Sequence, residues 1–203
     1  IEGQVVTGLR RVGKRIVFAF DDIAGEDEPV FAVLHLMIAG RLRWQEPGAK
    51  VPGKVGLAAF DFAGDGGDRP PGTLVLTEAG TKKRASLHLV RGEAALAEHD
   101  RGGIEPLEAD LAAFTAAITR ENRTLKRGLT DPRIFSGIGN AFSDEILHAA
   151  GMSPVQLTSR LDDDEVGRLH EATVATLSGW TERLREQTGD GFPEEVTAFR
   201  PDF

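Results

Sequence analysis

At 203 residues with a formal net charge of −8, the chain has room for one large core or two small ones. The charge has the wrong sign for a free-standing nucleic-acid binder, whose affinity comes largely from basic groups that displace counterions around phosphate, so such a role needs a local basic face. With no cysteine the chain has neither disulfides nor a thiolate zinc site, and no apolar run approaches the ~18 to 20 residues of a membrane helix.

In chain order, the first half reads as strands. Runs at 4–10, 15–20, 30–37, 41–44, 57–62, 73–77 and 84–90 are rich in β-branched and aromatic residues, and 30–37 is apolar enough to predict a buried strand. Gly- and Pro-rich breaks separate them, and short strands at this spacing predict a sandwich or barrel. The break at 64–72 reads as a mobile loop. Arg10, Arg11, Lys14 and Arg15 form one basic cluster and Lys82, Lys83 and Arg84 another, while acid gathers at 21–28 and 162–165. Such clusters are ordinarily solvated surface.

Composition changes at Gly102-Gly103 and Pro106, and the remainder of the chain reads as helices. Leu107, Leu111, Phe114 and Ile118 make one apolar stripe. A shorter segment with Leu125 and Leu129 stops before Asp131-Pro132, where proline disfavours helix. A final helix is expected over 163–186, with Val166, Leu169, Thr173, Leu177, Trp180 and Leu184 on one side. That pattern makes Trp180 a packing residue, and the acids at 162–165 suit the helix start.

The most informative stretch runs from Phe135 to Pro154. Gly137 and Gly139 remove two Cβ atoms where the backbone turns tightly or meets a ligand, Asn140 is a favoured N-cap, and Phe142, Ile146 and Ala150 recur at helical spacing behind it. Asp144 and Glu145 are expected in the first turn, and Gly151 with Pro154 ends the helix. An exposed helix start is an anion site, so the turn reads either as a phosphate cradle or as a tight corner between helices.

The run Gly137-Ile138-Gly139-Asn140-Ala141-Phe142, followed by Asp144-Glu145-Ile146-Leu147, Ala150-Gly151 and Pro154, resembles the helix-two-turns-helix signature of the formamidopyrimidine-DNA glycosylase and endonuclease VIII family. Arg11-Val12-Gly13-Lys14-Arg15, and His35-Leu36 with Gly40-Arg41-Leu42, resemble two further family blocks in the family's order. The resemblance implies an α+β protein in which a truncated N-terminal β-sandwich precedes an all-α helix-two-turns-helix domain. It divides the chain into a catalytic-type sandwich over 1–105 with its N-terminus missing, a DNA-binding domain over 106–190, and the start of a connection to a missing C-terminal finger over 191–203. The start at Ile1 and the stop at Phe203, just after a promising segment at 196–200, are read in the same way, as the ends of a fragment.

By resemblance the family removes damaged bases and then cuts the abasic strand, with an N-terminal proline as nucleophile and a neighbouring glutamate as acid/base. The chemistry requires an amine that attacks the sugar C1′ and forms a Schiff base, which then permits β-elimination. The Pro-Glu pair is absent here, and Glu2 is not its glutamate, because the register of Gly13-Lys14 puts Ile1-Glu2 well downstream of the family's first residues. Lys14 matches the family lysine that assists elimination near the cleaved phosphate; without the resemblance it reads as an edge-strand lysine. Lys126 matches the lysine before the signature turn, and Gly139 with Asn140 the phosphate-binding turn. The family methionine that fills the gap left by a flipped base is replaced by Ile38, with Met37 on the opposite strand face. The family block bearing an inserted arginine and phenylalanine is replaced by 78–84, which has no aromatic residue.

The implied partner is double-stranded DNA with a damaged base or abasic site. The implied setting is the cytoplasm, without membrane. No cofactor is expected in this chain, and zinc is expected in the missing finger. Two other readings stay open: a non-catalytic DNA-binding or scaffolding relative, and an acidic interaction domain that never meets nucleic acid.

Overall fold

The computed structural model describes residues 1–20, 27–64, 66–67 and 70–191. Seven strands come first: β1 Gly8–Val12, β2 Arg15–Phe20, β3 Val30–His35, β4 Gly40–Gln45, β5 Gly56–Phe62, β6 Gly72–Glu78 and β7 Ser86–Arg91. They form two antiparallel sheets, ordered β1-β2-β3-β7 and β4-β6-β5. Period-two patterning decides their packing. Ile16, Phe18 and Leu34 of the first sheet meet Leu42, Leu74, Leu76 and Phe60 of the second, while Val17, Phe31 and Val33 face the other way. That second face is closed by a helix which the periodicity did not reveal, α1 Gly92–Ala97, through Leu96.

The predicted strands are present, with shifted ends. The first covers Gly8–Val12 rather than 4–10, because Gly13 and Lys14 form the two-residue link to Arg15 and the ladder grows outward from it. The third stops at His35, whose Nδ1 accepts the Met37 N–H at 3.0 Å and bends the chain into a turn. The loop expected at 64–72 includes positions 65, 68 and 69, which lie outside the described residues. So do 21–26 of one acidic cluster and the segment at 196–200.

The helical part contains α2 Leu111–Thr119, α3 Leu125–Thr130, α4 Asn140–Ala150 and α5 Asp163–Thr188. Its core is one cluster built on Phe114, Ile118, Leu125, Leu129, Phe135, Ile146 and Leu169, each fully or almost fully buried. The stripe expected from Leu107 holds only in its second half. Asp110 caps α2 by accepting the Ala113 N–H at 2.8 Å, so Leu107 precedes the helix, and Leu107 and Leu111 are both exposed. The last helix starts where its acids predict: Asp162 and Glu165 form a capping box. Trp180 packs edge-on against Phe142 with ring centroids 5.8 Å apart, as a structural residue should.

Among the described residues the two parts meet at a seam beside the turn before α4. Ile104 pairs with Phe135 in a parallel bridge and packs on the helical core, so the segment leaving α1 is stitched beside the turn that precedes α4.

Candidate nucleic-acid interface

The seam brings together residues that are far apart in sequence. The β1–β2 link reaches across to the Gly137–Gly139 turn at the start of α4. A Cβ on Gly139 would lie 3.2 Å from the Lys14 Nζ, and one on Gly137, whose φ is +84°, would lie 3.2 Å from the Arg11 Nη1. The two glycines therefore shape the corner and also admit two cations to it. Arg11 is held there by donating to the Gly13 carbonyl at 2.7 Å and by an ion pair with Glu105.

Lys14 as a whole is solvent-exposed, but its ammonium packs against the turn, and partial desolvation lowers its pKa. Among the described residues it has no carboxylate partner. Its charge and the positive end of an 11-residue helix thus converge with nothing between them to cancel either.

Two expectations about α4 change. The N-cap is Gly139, and Asn140 is the first helical residue, exposed and with no side-chain cap bond. The turn leaves no room upstream: the Gly139 carbonyl already accepts from the Ser143 N–H at 2.9 Å, and the Ser143 hydroxyl donates to the Asn140 carbonyl at 2.7 Å. The Asn140 amide is consequently uncommitted among the described residues. Because the helix starts at Asn140, Asp144 and Glu145 fall in its second turn. The C-terminal signal reads correctly, with Gly151 in the left-handed region at φ +64°.

Lys126, at the start of α3, is already paired. Its Nζ donates to both Asp144 oxygens, at 2.6 and 2.8 Å. Asp144 lies four residues beyond Asn140 and hence on the same face of α4, so the pair stands about one helical turn from the free amide. Nearby, Asp131 is nearly buried and receives Arg133 and, at 2.6 Å, Arg123, which also pairs with Glu121. The Arg133 hydrogen bonds above all hold the Asp131 carboxyl well below the usual carboxylate range. This network fixes the corner after α3 and uses up cations that a count of arginines would assign to DNA.

His35 belongs to the site, although only its place in a recognised block could have flagged it. It sits opposite Arg15 in the β2–β3 ladder, next to Lys14, and its pKa is lowered by burial and by the Arg15 and Lys14 charges. With Nδ1 accepting from the Met37 N–H, the neutral ring carries its proton on Nε2. The same turn corrects the expectation for Met37 and Ile38. Neither lies in a strand, so strand alternation does not govern them. Met37 takes a positive φ of 54°, and Ile38 stands 79% exposed at the tip. The 79–85 loop is drawn back onto the buried Glu78, whose carboxylate accepts the Arg84 and Ala85 N–H groups and whose carbonyl accepts from Lys83.

An antiparallel sandwich joined at a glycine turn to a helical domain is an architecture shared with known proteins. Residues 103–188 match the family model described as the formamidopyrimidine-DNA glycosylase H2TH domain. Residues 103–188 thus form a domain of the H2TH type, and most of the chain is similar to formamidopyrimidine-DNA glycosylases. It is 31% identical to the formamidopyrimidine-DNA glycosylase of Moorella thermoacetica over 179 residues, covering 87% of this chain and 61% of that protein. It is 29% identical to that of Cytobacillus firmus, with 86% and 59% covered. The fold matches that of the Lactococcus lactis protein solved with abasic-site DNA, with a TM-score of 0.74 at 22% identity over 89% of this chain and 62% of that one. The chain thus spans about three-fifths of the length of these relatives.

Proposed function

We propose that the whole protein is a base-excision DNA glycosylase and abasic-site lyase working on damaged double-stranded DNA in the cytoplasm, and that this chain supplies its DNA-holding core. One observation carries the reading: the Lys14 ammonium, without a carboxylate partner among the described residues, meets the start of α4 beside the uncommitted Asn140 amide. A backbone phosphate seated there receives a charge, helix N–H groups and a side-chain donor from two distant parts of the sequence. The relatives' names and the DNA in the Lactococcus structure support the same conclusion.

The reaction needs an amine that attacks C1′ and displaces the base; the C1′–O4′ bond then opens, with a proton delivered to O4′, to leave an iminium, and loss of the C2′ proton breaks the C3′–O bond and releases the 3′ phosphate. We assign that amine and its glutamate partner to the Pro-Glu pair implied by the resemblance, supplied from outside these 203 residues. Lys14 then holds the phosphate that leaves, and its positive charge lowers the cost of the negative charge developing there. Lys126 and Asn140 grip the backbone without reading bases. The exposed Ile38 would take the part of the wedge that fills the gap left by a flipped base.

Zinc stays part of the proposal as the core of a finger following this chain. The ligands would have to come from that finger, since there is no cysteine here and no group of three or more His, Asp or Glu residues among the described residues forms a metal site.

Borohydride reduction on abasic-site DNA tests the assignment. The whole protein should be trapped covalently and the 203-residue chain should not. Equal trapping by both would make an internal lysine the nucleophile. The non-catalytic reading draws on the 79–85 loop, which has no aromatic residue and is tied to Glu78; a whole protein that binds duplexes tightly but is never trapped would establish it.

A further inference from the structure

On the outer face of the second sheet, away from the glycine turn, lies a cavity of about 440 Å³. Arg41 and Arg43 alternate along β4 and so share this face, while Leu42 between them points into the sandwich core. Across the ladder, Thr77 stands opposite Arg41 and the buried Val75 opposite Arg43. Val55, from the loop before β5, and Gln45 help to line the space, and none of the lining residues among those described is acidic.

The two arginines are committed differently. Arg41 donates through Nη1 to the carbonyls of Ile38 at 3.1 Å and Gly40 at 2.6 Å, which ties it to the turn carrying Ile38. Arg43 is half-buried; its Nε–H is shut away from solvent without an acceptor, and neither arginine has an ion-pair partner among the described residues. A guanidinium stays charged under all ordinary conditions, and a buried N–H without an acceptor is costly. Arg43 therefore brings to the cavity lining a fixed positive charge that no carboxylate among the described residues offsets, which favours an external anion.

We propose that this cavity binds a phosphate ester, with Arg43 as its principal ligand. The sealed Nε–H is out of reach in this position, so the anion is taken by the Nη–H groups at the end of the guanidinium, which can meet two oxygens of one phosphate. Thr77 and Gln45 add neutral donors at the edges, and the apolar wall of Val75 and Val55 strengthens the charge interaction by excluding water. Phosphate alone would not fill a space of this size, which lies within the range of small-molecule sites and leaves room for the organic part of the ester. The site does not depend on the glycosylase reading. Its ester comes either from a small molecule such as a nucleotide or from a DNA backbone passing the neighbouring Ile38 turn.

The test uses the whole protein, titrated calorimetrically at fixed ionic strength with inorganic phosphate and with thymidine monophosphate, and separately with an undamaged duplex. Arg43→Gln should weaken the affected ligand by about tenfold or more, the loss expected for a charge-assisted bond. If that variant does not fold, Ala39→Asp sets a carboxylate at the cavity rim without altering either arginine and should have the same effect. Loss of nucleotide binding with normal duplex affinity assigns a small-molecule site. Weaker duplex binding with a salt slope reduced by about one ion assigns a backbone phosphate. If the wild type and both variants are alike toward phosphate, nucleotide and duplex, the proposal is wrong.

Discussion

The two lysines of the candidate interface differ in how their charge is kept. Lys14 is held at the seam between sandwich and helices, against a glycine turn and with no acid beside it among the described residues, whereas Lys126 spans α3 and α4 with its ammonium on both oxygens of Asp144. The first is a prepared site whose field is available before any ligand arrives. The second has a resident competitor, and a phosphate gains there only what exceeds an exposed ion pair worth ~0 to 1 kcal/mol. A local field inside an acidic protein therefore depends less on how many cations are present than on which of them the fold leaves uncompensated.

Breaking the prepared site should have the largest effect. In the whole protein, Lys14→Ala should weaken abasic-site DNA binding and slow strand cleavage by roughly 10- to 100-fold, the loss of a charge-assisted contact of ~1.5 to 3 kcal/mol. Gly139→Val should do much the same by pushing the ammonium away, as its Cβ alone would stand 3.2 Å from the Lys14 Nζ. Binding isotherms paired with thermal melts check both, and full affinity in either variant would remove Lys14 from the interface.

Because partial desolvation lowers the Lys14 pKa, DNA binding should also weaken with rising pH before an ordinary lysine would deprotonate, and the effect should vanish in Lys14→Ala. Titration of affinity between neutral and alkaline pH measures it.

The competitor is tested next. Lys126→Ala should reduce affinity a fewfold on damaged and undamaged duplexes alike and lower the salt slope by roughly one ion, while Asp144→Asn, which frees the ammonium, should raise affinity on both. Unchanged binding in Asp144→Asn would mean that Lys126 never leaves its carboxylate.

Asp131 gives a pH signature of stability. Its folded pKa is depressed, so its contribution is fully present above the unfolded carboxylate pKa of ~4 and fades as pH falls toward the lower folded value. Asp131→Asn should lower the melting temperature at neutral pH and flatten its decline in acid. The smallest effect belongs to Asn140→Ala. Since Asn140 does not cap α4, the substitution should change stability by less than ~0.5 kcal/mol, and any loss of DNA affinity then reports the contact itself.

Much of this was legible in the sequence where the signal is local. Strand alternation, the Asp162 to Glu165 capping box, the Gly151 terminus and the packing role of Trp180 come from the chemistry of neighbouring residues. Errors arose where a tertiary partner overrode the local preference. Asn140 has the chemistry of a cap, but the backbone after Gly137 puts Gly139 in that position. Ile38 looks like a strand residue, but the His35 ring turns the chain before it. The short α1 escaped because six residues carry too little periodicity to stand out.

The sequence by itself carried the family resemblance, through three ordered blocks whose residue types are tied to particular turns, and the α+β order of strands before helices, through periods of two and of 3.6. Tertiary structure alone decided which charges are free. Lys14 and Lys126 are the same residue type, and only the packing of a hairpin against a glycine turn separates the ammonium without a carboxylate partner among the described residues from the one already held by Asp144. Coulombic partners are chosen by distances of a few ångströms across elements remote from one another in sequence, and no local pattern in a chain records them.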